Sequence, residues 1–128
     1  MQPIPSALVI DDNLDVLKTL QKLLTSLGVG QITQAISAED ALKLLREQQF
    51  AVIVADYQLG GMDGVEFLER LRAGGDNTPV LLLSGAPDKA GVIRAVNLPS
   101  VDFLGKPFRM ADLFSSLERL FPASIEAA

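Results

Sequence analysis

Three short apolar runs each stop abruptly at a polar or turn residue, and helical patterns fill the spaces around them. The runs are Ala7-Leu8-Val9-Ile10, Phe50 to Ala55 and Val80-Leu81-Leu82-Leu83. Because they are apolar without alternation, they read as strands buried on both faces, the pattern of a parallel sheet covered by helices; Val101 to Leu104, which contains Asp102, is a short fifth strand. A further segment, Gln31 to Ile36, alternates weakly and suits a more exposed strand, second in chain order.

The intervening segments switch to helical spacing. Leu17, Leu20, Leu24 and Leu27 form one stripe, with Asn13 or Asp12 as cap and Gly28 as stop. Ser37 and Asp40 resemble a capping box before a helix that buries Ala38, Ala41, Leu42 and Leu45. Asp63 with Glu66 caps a third helix carrying Val65, Leu68 and Leu71, broken by Gly74-Gly75-Asp76-Asn77. A weaker fourth helix spans about Asp88 to Val96. The last runs from about Arg109 to Phe121, with Met110, Leu113, Leu117 and Leu120 inward and Pro122 as its end. Arg46, Arg70, Arg72 and Arg94 read as solvated faces. Strand and helix thus alternate five times. This predicts an α/β fold: a doubly wound, five-stranded parallel sheet in the flavodoxin-like order 2-1-3-4-5, with five helices. A single domain over 1–128, with its core at about 6–121, accounts for the length.

Composition removes several function classes. With no histidine, the chain lacks the usual general base, the commonest metal ligand and any phosphohistidine of its own. With no cysteine, it has no disulfide, thiolate metal site or thiol nucleophile. A net charge of -5 argues against direct nucleic-acid binding. No run is long enough for a membrane span and no signal-peptide pattern opens the chain, so a cytoplasmic location is expected.

The polar residues that end the runs are where chemistry is expected, because open parallel sheets bind ligands beyond the carboxyl ends of their strands. The first strand delivers Asp11 and Asp12, the third Asp56, the fourth Ser84 and the fifth Lys106. In the order 2-1-3-4-5 the first and third exits are neighbours, so these stations converge on one basin. Three carboxylates crowded together repel one another. A divalent cation and the Lys106 ammonium would balance them. Mg2+ fits best, since it takes one or two carboxylates and keeps several waters. Asp12 and Asp56 are candidates for direct ligation, with the backbone carbonyl of Gln58 as a third ligand and Asp11 acting through water.

From about Ser6 to Phe121 the chain resembles the receiver domain of bacterial two-component response regulators. The residues that carry the resemblance are Asp11-Asp12, Asp56-Tyr57-Gln58-Leu59, Met62-Asp63-Gly64, Ser84-Gly85, Phe103 and Lys106-Pro107, in the family's order. The resemblance implies that Asp56 is the phosphoacceptor nucleophile and Ser84 the switch hydroxyl. It also implies that Lys106 contacts the phosphoryl oxygens and that the peptide before Pro107 is cis. A histidine kinase or a histidine phosphotransfer protein would supply the phosphoryl group. Rotation of Phe103 would then reshape the face made by the fourth predicted helix, the fifth strand and the last helix, to control an output domain or partner that the sequence does not name. The same face is a candidate for homodimerisation. The domain would promote only its own phosphoryl transfer and autodephosphorylation. Three departures stand out. Gly60 replaces the usual proline, Leu98-Pro99-Ser100 replaces a small-glycine-small turn, and Phe103 replaces a commoner tyrosine. Without a hydroxyl to desolvate, the Phe103 ring is expected to lean inward even before phosphorylation.

Three rival functions would each leave a different mark on the sequence. A Mg2+-dependent aspartate-nucleophile phosphohydrolase usually has a second aspartate two residues after the nucleophile, where this chain has Gln58, and it would turn over repeatedly. A flavin carrier on the same fold would need a phosphate cradle after the first strand, where Asp11-Asp12-Asn13 stands. A phosphorylation-independent, receiver-like binding module would not need the full polar set.

Overall fold

In a computed structural model, which describes residues 4–85, 95 and 97–121, five strands form one parallel sheet in the order β2-β1-β3-β4-β5. In chain order the elements are β1 (Ser6–Ile10), α1 (Leu14–Ser26), β2 (Gln31–Ala35), α2 (Ala38–Glu47), β3 (Val52–Asp56), α3 (Gly64–Ala73), β4 (Val80–Ser84), β5 (Val101–Gly105) and α4 (Met110–Leu120). The predicted strand order and the doubly wound fold are those observed. The fourth predicted helix, apart from Ala95, lies outside the described residues.

Strand alternation divides the core into two layers. Leu8, Ile10, Ile53, Ala55, Val80 and Leu82 pack with α2 and α3. Their neighbours Ala7, Val9, Val52, Val54, Leu81 and Leu83 pack with α1 and α4. All twelve are fully buried, which explains runs that are apolar at every position. At ~25 cal/mol per Å2 of apolar surface removed from water, these side chains dominate the stabilisation.

Local signals place the helices. The Asn13 Oδ1 accepts from the Asp15 and Val16 amides at 2.9 and 3.3 Å. The Ser37 Oγ accepts from the Asp40 amide at 3.1 Å, and the Asp63 Oδ1 from the Glu66 amide at 2.7 Å. Caps of this kind each stabilise a helix by about 1 kcal/mol. At α4 the relation is inverted: the Arg109 amide donates to the Asp112 Oδ2 at 2.9 Å.

The structure differs from the sequence pattern in four places. Met110 is not part of the inward stripe of α4; it is 40% exposed. The inward face carries Leu113, Leu117 and the fully buried Ser116, whose Oγ accepts from the Arg119 Nη2 at 3.0 Å. Leu42 and Leu45 are partly buried rather than buried, because they rim a groove between α2 and α3. Strands three, four and five extend to Asp56, Ser84 and Gly105, so the expected exit residues of strands three and four are themselves the last rungs of the ladder. Finally, Arg72 is not a solvated face. It is half-buried, and its guanidinium donates to the carbonyls of Asp76, Pro99 and Ser100.

Candidate functional site

The chain reverses direction across the sheet between β1 and β3, and the loops leaving those two strands bracket a basin at the carboxyl end. Asp56, the last residue of β3, points one oxygen at Lys106: Nζ to Oδ2 is 3.2 Å, with the side chains 30% and 18% exposed for Lys106 and Asp56. Among the described residues its other oxygen, Oδ1, accepts a long 3.3 Å bond from the Gln58 amide. Partly wet ion pairs of this kind are worth about 1 kcal/mol or less, so Lys106 orients Asp56 more than it stabilises the fold.

The acid pair at the exit of β1 is divided by its geometry. Asp12 is exposed, whereas Asp11 is 1% exposed. The Asp11 Oδ1 accepts from the Asn13 amide at 2.9 Å, while its Oδ2 is buried and has no hydrogen-bond partner. Burial is the main cause of a raised Asp11 pKa. The charges of Asp56 and Asp12 add to it, and the Asn13 amide and Lys106 oppose it.

Backbone bonds register the remaining stations. The Tyr57 amide donates to the Leu83 carbonyl and the Lys106 amide to the Ser84 carbonyl, each at 2.7 Å. Ser84 is buried at the top of β4, opposite Gly105. Phe103, opposite Leu82, is partly buried against the layer that holds α2 and α3. The peptide joining Lys106 to Pro107 is cis. Asp12, Asp56, Gln58, Leu59, Met62 and Glu66 line one open groove. The sequence marks Glu66 only as part of a helix start, and nothing in the capping pattern shows it facing the groove.

The loop after Asp56 is shaped by two glycines. Gly60 has φ +82°, which non-glycine residues rarely adopt. Gly64 has no room for a side chain: a Cβ would lie 2.8 Å from the Leu82 Cδ2 and 3.1 Å from both the Asp56 carbonyl oxygen and the Tyr57 Cα. Gly64→Ala is therefore expected to cost about 1–3 kcal/mol, read as a lower urea midpoint. An unchanged midpoint would show that the loop yields freely.

Among the described residues no three acidic side chains converge tightly enough to enclose a cation by themselves. An ion that takes one or two carboxylates and keeps its waters needs no such enclosure. The buried, unpartnered Asp11 Oδ2 beside Asp56 and Asp12 is what fits such an ion, since an uncompensated buried carboxylate oxygen is costly.

Residues 7–118 match the family model of the response regulator receiver domain. The chain is 31% identical over 118 residues to a probable chemotaxis protein CheY of Rhizobium etli, covering 91% of this chain and 92% of that one. It is 36% identical over 110 residues to the transcriptional regulatory protein FixJ of Bradyrhizobium diazoefficiens, covering 86% of this chain but 53% of the relative. It therefore spans nearly all of the first relative and about half of the second. The receiver domain of the Francisella response regulator 1452 superposes with a TM-score of 0.81 at 29% identity, covering 94% of this chain and 98% of that structure.

Proposed function

The chain belongs to the response regulator receiver domain family, and from that membership we propose that its part in two-component phosphoryl transfer is played by Asp56 as the acceptor. What carries this assignment is the 3.2 Å contact of the Lys106 Nζ with one Asp56 oxygen, which leaves Oδ1 as the less engaged nucleophile. The donor is a phosphohistidine on a histidine kinase or a histidine phosphotransfer protein, because this chain has no histidine. Asp56 Oδ1 attacks phosphorus and forms the O–P bond of an acyl phosphate. The P–N bond breaks, and its electron pair leaves with the donor imidazole. Lys106 contacts the phosphoryl oxygens. Asp12, Asp56 and the Gln58 carbonyl would hold a Mg2+ ion, with Asp11 acting through water. When bound, this ion supplies the charge neutralisation that lets an anion approach the carboxylates.

With the acceptor phosphorylated, the Ser84 hydroxyl donates a hydrogen bond to a phosphoryl oxygen and moves toward it. The space it leaves admits the Phe103 ring. The face that includes β5 and α4 then changes shape for an output domain, a partner or a second copy of the chain. Water later hydrolyses the acyl phosphate, which resets the switch. This reading places the protein in the cytoplasm; among the described residues no helix is long and apolar enough to cross a membrane. A phosphohydrolase reading is disfavoured because Gln58, exposed beside Asp56, is no acid.

The test is mass spectrometry after incubation with acetyl phosphate and Mg2+, with and without EDTA. A single phosphoryl adduct per chain that EDTA suppresses is expected. Repeated turnover of phosphate esters without a stable adduct would overturn the assignment.

A further inference from the structure

Arg72, in the last turn of α3, has more hydrogen-bonded partners than any solvated arginine needs. Its Nη1 donates to the Asp76 carbonyl at 2.9 Å, its Nε to Pro99 at 3.0 Å and its Nη2 to Ser100 at 3.2 Å. These acceptors belong to two turns, one after α3 and one just before β5. Burial lowers the Arg72 pKa, with the charge of Asp76 opposing that shift. The Asp76 Oδ1, though, is engaged by the amide and hydroxyl of Thr78, and among the described residues the hydrogen-bond acceptors of the guanidinium are main-chain oxygens. The Ser100 carbonyl also accepts from the Val80 amide at 2.9 Å, at the start of the β4–β5 ladder. Ser100 itself has φ +55°, the one non-glycine residue in the left-handed region among those described. A strained residue of this kind persists only where its surroundings fix it, and Arg72 is part of that fixture.

β5 is an edge strand whose one hydrogen-bonded neighbour is β4, paired from Val101 to Gly105. Side chains tie it at three heights. Arg72 holds its base, Arg119 holds Asp102 through a 2.9 Å pair, and Asp56 holds Lys106 just past its upper end. Phe103 lies between the upper two ties. A displacement of Lys106 is taken up either by the whole strand shifting or by a local change around Phe103. Pinning the base removes the first option.

We propose that Arg72 is a positioning residue of the switch: by clamping the turn before β5 to the end of α3, it converts a shift at Lys106 into a local change at Phe103. This rests on the phosphoacceptor reading above but is separable from it. The experiment compares the parent with Arg72→Gln by amide and aromatic NMR of residues 102–104, before and after phosphorylation with acetyl phosphate and Mg2+. Phosphorylation rates are expected to agree within about twofold, since Arg72 is remote from Asp56. The phosphorylation-induced shifts of Asp102, Phe103 and Leu104 are expected to shrink about threefold or more. Arg72→Lys, which keeps the cation but loses the planar fork, should fall between the two. If Arg72→Gln fails to fold, the Lys variant carries the test. Full-size shifts in a phosphorylated variant would overturn the inference. Failure of the parent itself to take up phosphate would instead overturn the functional reading, and the clamp's signalling role with it.

Discussion

Asp56→Asn is expected to abolish phosphoryl uptake completely, the largest effect of any substitution in this chain. The amide keeps the size of the carboxylate. Its single oxygen can face the Lys106 ammonium, 3.2 Å from the Asp56 Oδ2 in the parent, or accept from the Gln58 amide, but not both. What it lacks is the anionic oxygen that forms an acyl phosphate. A folded variant with no adduct, against a stoichiometric, hydroxylamine-sensitive adduct in the parent, is the predicted pair of mass spectra. An adduct of undiminished size in the variant, mapped by peptide digestion to another side chain, would remove Asp56 from its assigned role. Circular dichroism of the variant guards against the trivial explanation of misfolding.

Asp11→Asn should do the reverse of what a substitution at a functional site usually does to the metal-free protein: it should stabilise it. The Asp11 carboxylate is buried with one oxygen unpartnered, and the neighbouring charges of Asp56 and Asp12 act against it. Removing a charge that the Asn13 amide and Lys106 compensate only in part is expected to add about 1–3 kcal/mol at neutral pH. For a domain of this size that is a rise in Tm of several degrees, at roughly 3–6 °C per kcal/mol. The pH dependence has a definite sign. The Asp11 pKa is raised in the folded chain above its ordinary value of 3.8. Between the two values the folded state binds more protons than the unfolded one, so in that window this group makes stability fall as pH rises. The advantage of Asp11→Asn over the parent should therefore be largest at neutral pH. It should shrink as acid titrates Asp11 through its folded value. In Mg2+ the ordering should narrow or invert, because the parent gains binding free energy that the variant has lost. An Asp11→Asn protein that is less stable than the parent in EDTA at neutral pH would show that the buried oxygen has compensation the geometry does not reveal.

Both predictions concern residues that the amino-acid sequence alone singles out. The strand exits are legible because strands buried on both faces leave continuous apolar runs, and a run such as Val52-Ile53-Val54-Ala55 marks its own end at Asp56. The division of labour within Asp11-Asp12 is not legible. The two acids are adjacent and chemically identical, and only the pleat of β1 and the turn that follows decide which is buried. Met110 and Ser116 mislead for a related reason. Helical spacing gives a stripe, but a buried serine is allowed when a neighbouring arginine satisfies it, here Arg119. Arg72 is the residue whose role the sequence hides best. Its partners are main-chain carbonyls, which leave no trace in side-chain identity, and two of them lie 27 and 28 residues away. The one hint is the unusual Leu98-Pro99-Ser100 turn, whose significance emerges only with the positive φ of Ser100.

The basin at the carboxyl end is assembled from segments that are distant in sequence, with Asp11 leaving β1, Asp56 closing β3, Ser84 closing β4 and Lys106 following β5. No fragment of the chain reproduces it. Chemical reactivity toward a small phosphodonor should therefore serve as a gauge of global cooperativity. Across a denaturant series it should vanish along the same curve as the far-ultraviolet signal, whereas a fraying helix would leave it untouched.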